Sequence, residues 1–145
     1  MGQVSATSSI DIAAAPEQVL AAVSDYRDVR PAILPANYRD YRVDEGGTGS
    51  GTVVHWILQA TEKRSRDVLA DITVTGDSVT EKDRNSTMVT VYRVTGAGAG
   101  SRVEVTTSWQ GAGGIGGFFE KTFAPKGLSR IQAELLGNLK ARLES

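Results

Sequence analysis

The sequence predicts a single α+β domain in which an antiparallel sheet packs against one long C-terminal helix. Strand-like runs with a period of two succeed one another from Tyr38 to Trp109, and the turns between them are too short for parallel crossovers. The last part of the chain instead carries an apolar stripe at helical spacing. A length of 145 residues fits one domain of ordinary size.

The N-terminal part is predicted to form one strand and two short helices. Val4 to Ile12 alternates and is rich in β-branched residues, as strands are. Pro16 suits the first position of a helix, because its missing N–H would be unpaired there anyway, and this helix is expected over residues 16–25. A second short helix is expected over Pro31–Leu34 and is stopped by Pro35.

Six further strands are predicted in the middle of the chain. They are expected at Tyr38–Asp44, Thr52–Thr61, Arg64–Thr75, Asp77–Lys82, Thr87–Thr95 and Arg102–Trp109. Short runs rich in turn-forming residues separate them. Because such connections join only antiparallel neighbours, the first strand and these six give a sheet of about seven strands.

The C-terminal segment is predicted to be a long helix. Its apolar stripe consists of Phe119, Phe123, Leu128, Ile131, Leu135, Leu139 and Leu143. Between Gly117 and Leu143 the helix would measure about 40 Å at about 1.5 Å per residue, which is long enough to cross the sheet. A slip in the spacing near Pro125 predicts a kink or a broken first turn there.

A twisted sheet that curls around a single helix leaves a gap between the two. With three Phe and two Trp, the chain has few large aromatic side chains to fill this gap. An empty cavity of about 300 Å³ would cost on the order of 7 kcal/mol, comparable with the whole stability of a domain, about 5–15 kcal/mol. We therefore expect an apolar pocket in which polar groups hold water or a ligand.

Four stretches and the long terminal helix carry a resemblance to a known superfamily. The stretches are Ile10–Val19, Val23–Tyr26, Gly49–Trp56 and Ser101–Val105. With these residues the chain resembles the START-like (SRPBCC) superfamily, specifically its small polyketide cyclase/dehydrase branch, over essentially its whole length. The resemblance implies a helix-grip fold, in which the sheet wraps around the C-terminal helix. It also implies a ligand container of the kind used by aromatase/cyclases, lipid carriers and hormone receptors.

Two arginines are candidates for contacts with a ligand. Arg64 and Arg66 share the parity of Val68, which marks the buried face of its strand. If both lie inside, a ligand carbonyl, phenolate or carboxylate would supply the partner that a buried charge needs. The alternative is a place at the rim of the sheet, with buried stems and solvated heads.

Aromatic side chains are further candidates. Trp56 falls on the buried side of its strand, which leaves His55 on the opposite face. The phenol of Tyr92 could donate a hydrogen bond to a ligand, although packing explains its place equally well. Trp109 either caps the pocket mouth or belongs to the core, and Tyr38 is a weaker candidate. The predicted ligand-binding set is Tyr38, Trp56, Arg64, Arg66, Val68, Tyr92, Trp109, Phe119, Phe123, Ile131 and Leu135.

A glycine-rich run, Gly111–Gly116, matches the G-x-G-x-x-G pattern of dinucleotide-binding sites. Its context differs from that of such sites, because no second parallel strand follows the next helix. We therefore interpret the run as a lid over the cavity, since glycine permits unusual backbone angles. The resemblance implies the same location, near the entrance.

Composition excludes several classes of function. The chain has no cysteine and one histidine, His55, which removes thiol chemistry and multi-His metal sites, and we expect neither a metal nor a cofactor. The 16 basic and 17 acidic residues give no attraction to nucleic acid and favour a monomer or weak dimer. We expect no transmembrane segment, because no apolar run reaches about 18 residues. No secretory signal is recognised, so the cytoplasm is the expected location.

Three functions remain open from the sequence. The first is a binding or carrier protein for a hydrophobic small molecule such as a lipid, a quinone or a polyketide-like ring system. The second is a polyketide cyclase or dehydratase, in which Arg66 would stabilise an enolate and Tyr92 or a bound water would move the proton. The resemblance implies that an inward arginine and aromatic residues matter in such enzymes. The third is an interaction or toxin-like regulatory module with a vestigial cavity.

Overall fold

The computed structural model describes residues 3–61, 64–110 and 125–145, without the side chains of residues 60, 61 and 64. The elements in chain order are β1 (Gln3–Ile12), α1 (Pro16–Val23), α2 (Val29–Ile33), β2 (Tyr38–Glu45), β3 (Val53–Thr61), β4 (Arg64–Thr75), β5 (Ser78–Asp83), β6 (Val89–Ala97), β7 (Gly100–Gln110) and α3 (Pro125–Glu144). Each expected strand is present; β4 has the predicted bounds, and the ends of the others differ from the prediction by at most two residues.

Seven strands form one sheet in the order β1-β7-β6-β5-β4-β3-β2. Every neighbouring pair is antiparallel. Strands β2 to β7 follow one another as a meander, and β1 adds to its β7 edge, with Gln3 opposite Gln110 and Ile12 opposite Ser101. This arrangement confirms the predicted α+β class and its antiparallel sheet.

The two short helices are separated by a turn that Asp25 holds in place. Pro16 opens α1 as expected, but the helix ends at Val23, two residues earlier than predicted. The Asp25 carboxylate accepts hydrogen bonds from the main-chain N–H groups of Arg27 and Asp28 at 3.1 and 3.0 Å. Its carbonyl accepts a third from the N–H of Arg30 at 3.0 Å. This turn begins α2 two residues before the predicted start and so brings Arg30 into the helix.

Helix α3 supplies the second layer of the core. Leu128, Ile131, Leu135 and Leu139 of the predicted apolar stripe are buried, and Leu136, outside the stripe, is buried as well. The segment before Pro125 lies outside the described residues, and with it lie the predicted helix start at Gly117, the kink, and Phe119 and Phe123. No described helix combines the length and the apolar composition needed to cross a lipid bilayer.

Candidate functional site

A cavity of about 20 Å³ lies between the sheet and α3, surrounded by residues that the structure describes. Its walls include Trp56, Glu81, Thr90 and Tyr92 from the sheet and Leu128 and Gln132 from the helix. A space of this size holds about one water molecule. Part of its lining is polar, because Gln132 of α3 and Thr90 and Thr107 of the sheet face it.

An ion pair is buried beside this cavity. Arg30 Nη1 donates to Glu81 Oε2 at 2.5 Å, and the two side chains are 3% and 6% exposed. The same carboxylate oxygen accepts a hydrogen bond from the hydroxyl of Tyr26 at 2.7 Å. The second guanidinium nitrogen, Nη2, donates to the carbonyl of Val23 at 2.9 Å. Charges that are buried must be paired in this way, because an isolated ion inside a protein costs several kcal/mol.

Two aromatic rings enclose the guanidinium of Arg30. Its Cζ lies 4.3 Å from the ring centroid of Tyr26 and 4.9 Å from that of Tyr92. Both distances suit cation–π attraction, which strengthens when water is excluded. The arginine is therefore fixed by hydrogen bonds at its ends and by rings on its faces.

The tyrosines near the cavity are held as neutral phenols. Burial raises the pKa of Tyr26, Tyr38 and Tyr92, with Glu81 acting in the same direction and Arg30 opposing it. A neutral phenol both donates and accepts a hydrogen bond. Tyr38 and Tyr92 line the cavity, so they are available as donors to whatever occupies it.

An aromatic wall closes one side of the cavity. The ring of Trp56 lies 5.8 Å from that of Tyr38 and 6.4 Å from that of Tyr41, measured between centroids. Trp56 Nε1 is buried and has no hydrogen-bond partner among the residues that the structure describes. A buried donor without an acceptor is costly, so it marks a place where an acceptor would gain binding energy.

The opposite side of the cavity is polar and is tied to α3. Gln132 Nε2 donates to the carbonyl of Ala6 at 3.2 Å and to Thr107 Oγ1 at 3.1 Å. Thr107 Oγ1 in turn lies 2.8 Å from Thr90 Oγ1, and Ser8 Oγ donates to Gln132 Oε1 at 3.3 Å. This chain of side chains fastens the helix to β1, β6 and β7.

Comparison with known families decides the assignment of the chain. A family model described as polyketide cyclase / dehydrase and lipid transport matches residues 3–144. The chain belongs to this family. Membership agrees with the resemblance to the SRPBCC superfamily, whose helix-grip fold serves ligand binding. No curated protein matches the chain.

Solved structures place the family member among helix-grip proteins. KanY protein, whose structure was solved by NMR in solution, is 57% identical in sequence to this chain. The match covers 100% of both chains and has a TM-score of 0.92. Major latex-like protein 151 from Panax ginseng is 16% identical over 97% of each chain, with a TM-score of 0.73. The di-domain ARO/CYC BexL from the BE-7585A biosynthetic pathway is 15% identical, with a TM-score of 0.70. That match covers 99% of this chain and 50% of BexL. At such low identity the last two show the fold alone.

Several residues that were predicted from the sequence to contact a ligand are buried in this protein. The buried ones are Trp56, Val68, Tyr92, Trp109, Ile131 and Leu135. Of these, Trp56, Tyr92 and Leu135 line the described cavity, as does the half-buried Tyr38. Val68, Trp109 and Ile131 belong to the surrounding core. Their contacts with a ligand stay a prediction.

The arginine that lies beside the cavity is not the one that strand parity predicted. Arg66 is half-buried, and its Nη2 donates to the carbonyl of Asn85 at 3.3 Å; a contact between Arg66 and a ligand stays a prediction. Arg30, from α2, occupies the interior instead. The side chain of Arg64 and the glycine run Gly111–Gly116 lie outside the described residues.

His55 lies on the sheet face opposite Trp56, as its parity predicts. It is 9% exposed, and its Nε2 lies 2.6 Å from Asp67 Oδ1. His55 is not among the residues that line the described cavity. No group of three or more metal-ligating side chains occurs in the described parts of the family member.

Sequence reasoning missed Arg30, Glu81 and Tyr26. A signal for Glu81 was present, because alternation along β5 buries Val79, Glu81 and Asp83 together. No comparable signal existed for Arg30, since α2 is too short for helical periodicity to show which side is buried.

Proposed function

We propose that this protein binds a small, mainly apolar molecule with polar substituents in the space between its sheet and α3. The observation that carries the proposal is the buried Arg30–Glu81 pair beside a cavity with an aromatic wall. A buried ion pair is weak evidence for stability, because hydrophobic residues of similar volume often stabilise a core as well or better. Its presence beside a cavity therefore favours a role in recognition.

The size of the described cavity sets a condition on binding. Pockets for organic ligands measure roughly 300–1,000 Å³, whereas this space measures about 20 Å³. A ligand that enters this cavity must therefore displace side chains that line it. Met88, Leu128 and Leu135 line the cavity and are flexible enough to change rotamer, Met88 most of all because its side chain is unbranched.

The proposal is tested by a search for a ligand. Native mass spectrometry of freshly purified protein should show a bound small molecule. Thermal-shift assays with lipids, quinones and aromatic polyketides should raise the melting temperature for at least one class. If the protein carries nothing and no compound raises its melting temperature, the proposal is refuted.

The site of any hit is located with two variants. Trp56→Leu, in the aromatic wall, should weaken binding about tenfold or more, because it removes both the ring and the buried indole donor. Asp67→Asn, on the opposite face, is the control and should leave affinity within about twofold. Equal effects of the two substitutions would place the ligand outside the proposed site.

A second candidate function is catalysis of polyketide cyclisation or dehydration. It is favoured by a carboxylate, Glu81, that lines the cavity together with the phenols of Tyr38 and Tyr92. A carboxylate can accept a proton from an acidic carbon, and neutral phenols can donate hydrogen bonds to the enolate that forms. The family description and the name of BexL agree with this chemistry.

Removing the phenol of Tyr92 distinguishes a catalytic function from a carrier function. Tyr92→Phe should lower turnover of a poly-β-ketone substrate at least 100-fold in kcat if Tyr92 donates to the enolate, while Kd changes by less than about fivefold. If the wild-type protein turns over none of the substrates that bind to it, only the carrier function remains.

We further propose that the protein acts in the cytoplasm as a monomer or weak dimer. Cell fractionation tests the location, and analytical ultracentrifugation tests the oligomeric state.

A further inference from the structure

The carboxylate of Glu81 has one oxygen that is committed and one that is open. Its Oε2 accepts hydrogen bonds from Arg30 and Tyr26, whereas Oε1 accepts none from the residues that the structure describes. The side chain is 6% exposed and lines the cavity. An ionised carboxylate has about four acceptor sites and no donor. A molecule bound in the cavity can therefore donate a hydrogen bond to Oε1.

Arg30, the positive partner of the pair, is not accessible from the cavity as Glu81 is. Arg30 donates from Nη1 to Glu81 and from Nη2 to the carbonyl of Val23, and rings of Tyr26 and Tyr92 cover its faces. Its Nε is buried and has no hydrogen-bond partner among the residues that the structure describes. Arg30 is also absent from the side chains that line the described cavity. An anionic ligand in the described cavity would thus meet the carboxylate of Glu81, whereas the guanidinium of Arg30 lies behind the side chains that line the cavity.

On the basis of the proposed function, we infer that Glu81 selects ligands that donate a hydrogen bond and carry no negative charge. Phenols, alcohols and amines belong to this class, whereas fatty acids and other carboxylates do not. The repulsion between two carboxylates grows as water leaves the site, because the effective dielectric constant falls.

The other polar groups of the cavity complete the specificity. Trp56 Nε1 is a buried donor without a partner in the described part of the chain, and the neutral phenols of Tyr38 and Tyr92 can also donate. The cavity thus offers one anionic acceptor among several donors. It suits a ring that carries a hydroxyl group for Glu81 and a carbonyl or ether oxygen for the aromatic side.

Three naphthalenes of nearly equal size test this inference directly. At pH 7, 2-naphthol is a neutral donor, 2-methoxynaphthalene accepts but does not donate, and 2-naphthoate is an anion. Binding is followed by NMR on ¹⁵N-labelled protein through the indole N–H signal of Trp56, one of two tryptophans in the chain. We expect 2-naphthol to bind at least tenfold more tightly than either of the other two.

A charge-neutral variant identifies the group responsible. In Glu81→Gln the preference for 2-naphthol over 2-naphthoate should fall to threefold or less, while Glu104→Gln, an exposed glutamate of β7, should retain it. If Glu81→Gln does not fold, the double variant Arg30→Met/Glu81→Gln removes both charges and serves the same purpose. A preference that survives the loss of the carboxylate would overturn the assignment to Glu81.

The remaining outcomes separate this inference from the function on which it rests. Binding of 2-naphthoate or 2-methoxynaphthalene to the wild-type protein as tightly as 2-naphthol overturns the inference and leaves the proposed function standing. Failure of all three probes also overturns the inference. It overturns the proposed function only when the wider screen of lipids, quinones and polyketides fails as well.

Discussion

Arg30 in α2 and Glu81 in β5 form a buried ion pair although 51 residues separate them in the chain. The contact joins the shortest described helix to the middle of the sheet. Because Tyr26 donates to the same carboxylate, the residues between α1 and α2 are fixed relative to the cavity. The position of the carboxylate at the candidate site thus depends on two helices that do not themselves line it.

Glu81→Ala should lower the free energy of unfolding by about 3–5 kcal/mol. The substitution leaves the guanidinium of Arg30 buried without its counter-charge, and such an uncompensated ion is strongly destabilising. Urea denaturation followed by circular dichroism measures the effect.

Two comparisons control that experiment. Glu104→Ala removes an exposed carboxylate from β7 and should change stability by less than about 0.5 kcal/mol. Arg30→Met/Glu81→Leu removes both charges and should recover most of the loss. A double variant as unstable as Glu81→Ala would show that packing, not charge, is responsible.

Tyr26→Phe should destabilise the protein by about 1.5–3 kcal/mol, because it removes a buried hydrogen bond to a charged acceptor. Tyr41→Phe is the matched comparison. Its hydroxyl donates to the neutral carbonyl of Tyr26 at 2.5 Å, so its loss should cost only about 0.5–1.5 kcal/mol. The expected order, measured by chemical denaturation, is contradicted if Tyr41→Phe is the more damaging change.

Alkaline pH should unfold the protein and ionise its tyrosines together. All four tyrosines of the chain have a raised pKa, with burial as the largest cause. Above about pH 10 the unfolded chain loses phenol protons that the folded chain keeps. The unfolded state then binds fewer protons, so stability is complete below about pH 10 and decreases as the pH rises further.

Absorbance at 295 nm checks this prediction, because it reports tyrosinate. In the native protein the signal should stay flat past pH 10 and then rise for all four tyrosines in one step that coincides with the loss of circular dichroism. Protein in urea should titrate near pH 10 and supplies the reference. A gradual native titration near pH 10 would show that these phenols are not protected.

Two glycine substitutions should act in opposite directions. A Cβ at Gly100 would overlap the main-chain oxygen of Ile12, so Gly100→Ala should destabilise by about 1–3 kcal/mol. Gly137 lies in α3 with nothing within 4 Å of the added atom, so Gly137→Ala should stabilise by up to about 1 kcal/mol. Thermal denaturation of both variants tests the pair, and a shift of the same sign in both would contradict it.

The sequence predicted the sheet well, because alternation and short turns are local properties. Trp56 was placed on the buried side by parity, and Leu135 by its helical spacing, whereas parity left the side of Tyr92 open. The ion pair could not be predicted in the same way. Its arginine comes from a helix with hardly more than one turn, and the Asp25 turn that orients this helix depends on side-chain hydrogen bonds that leave no periodic pattern.

The volume of the cavity could not be predicted from the sequence either. The fold class predicts a gap between sheet and helix, but its filling depends on how the side chains interlock. Gln132 illustrates this. Its position on α3 follows from the helical spacing, whereas its contacts with Ala6 and Thr107 depend on the register of two distant strands, β1 and β7.

The pairing of β1 with β7 governs how the chain can fold during synthesis. Ser8 of β1 lies opposite Val105 of β7, so β1 leaves the ribosome long before its partner strand exists. Contacts that close such long loops form slowly, and an unpaired strand edge invites aggregation in the interval. A nascent chain that stalls before β7 would expose that edge, and one that stalls before α3 would expose the apolar surface that α3 covers, so both are expected to need chaperones.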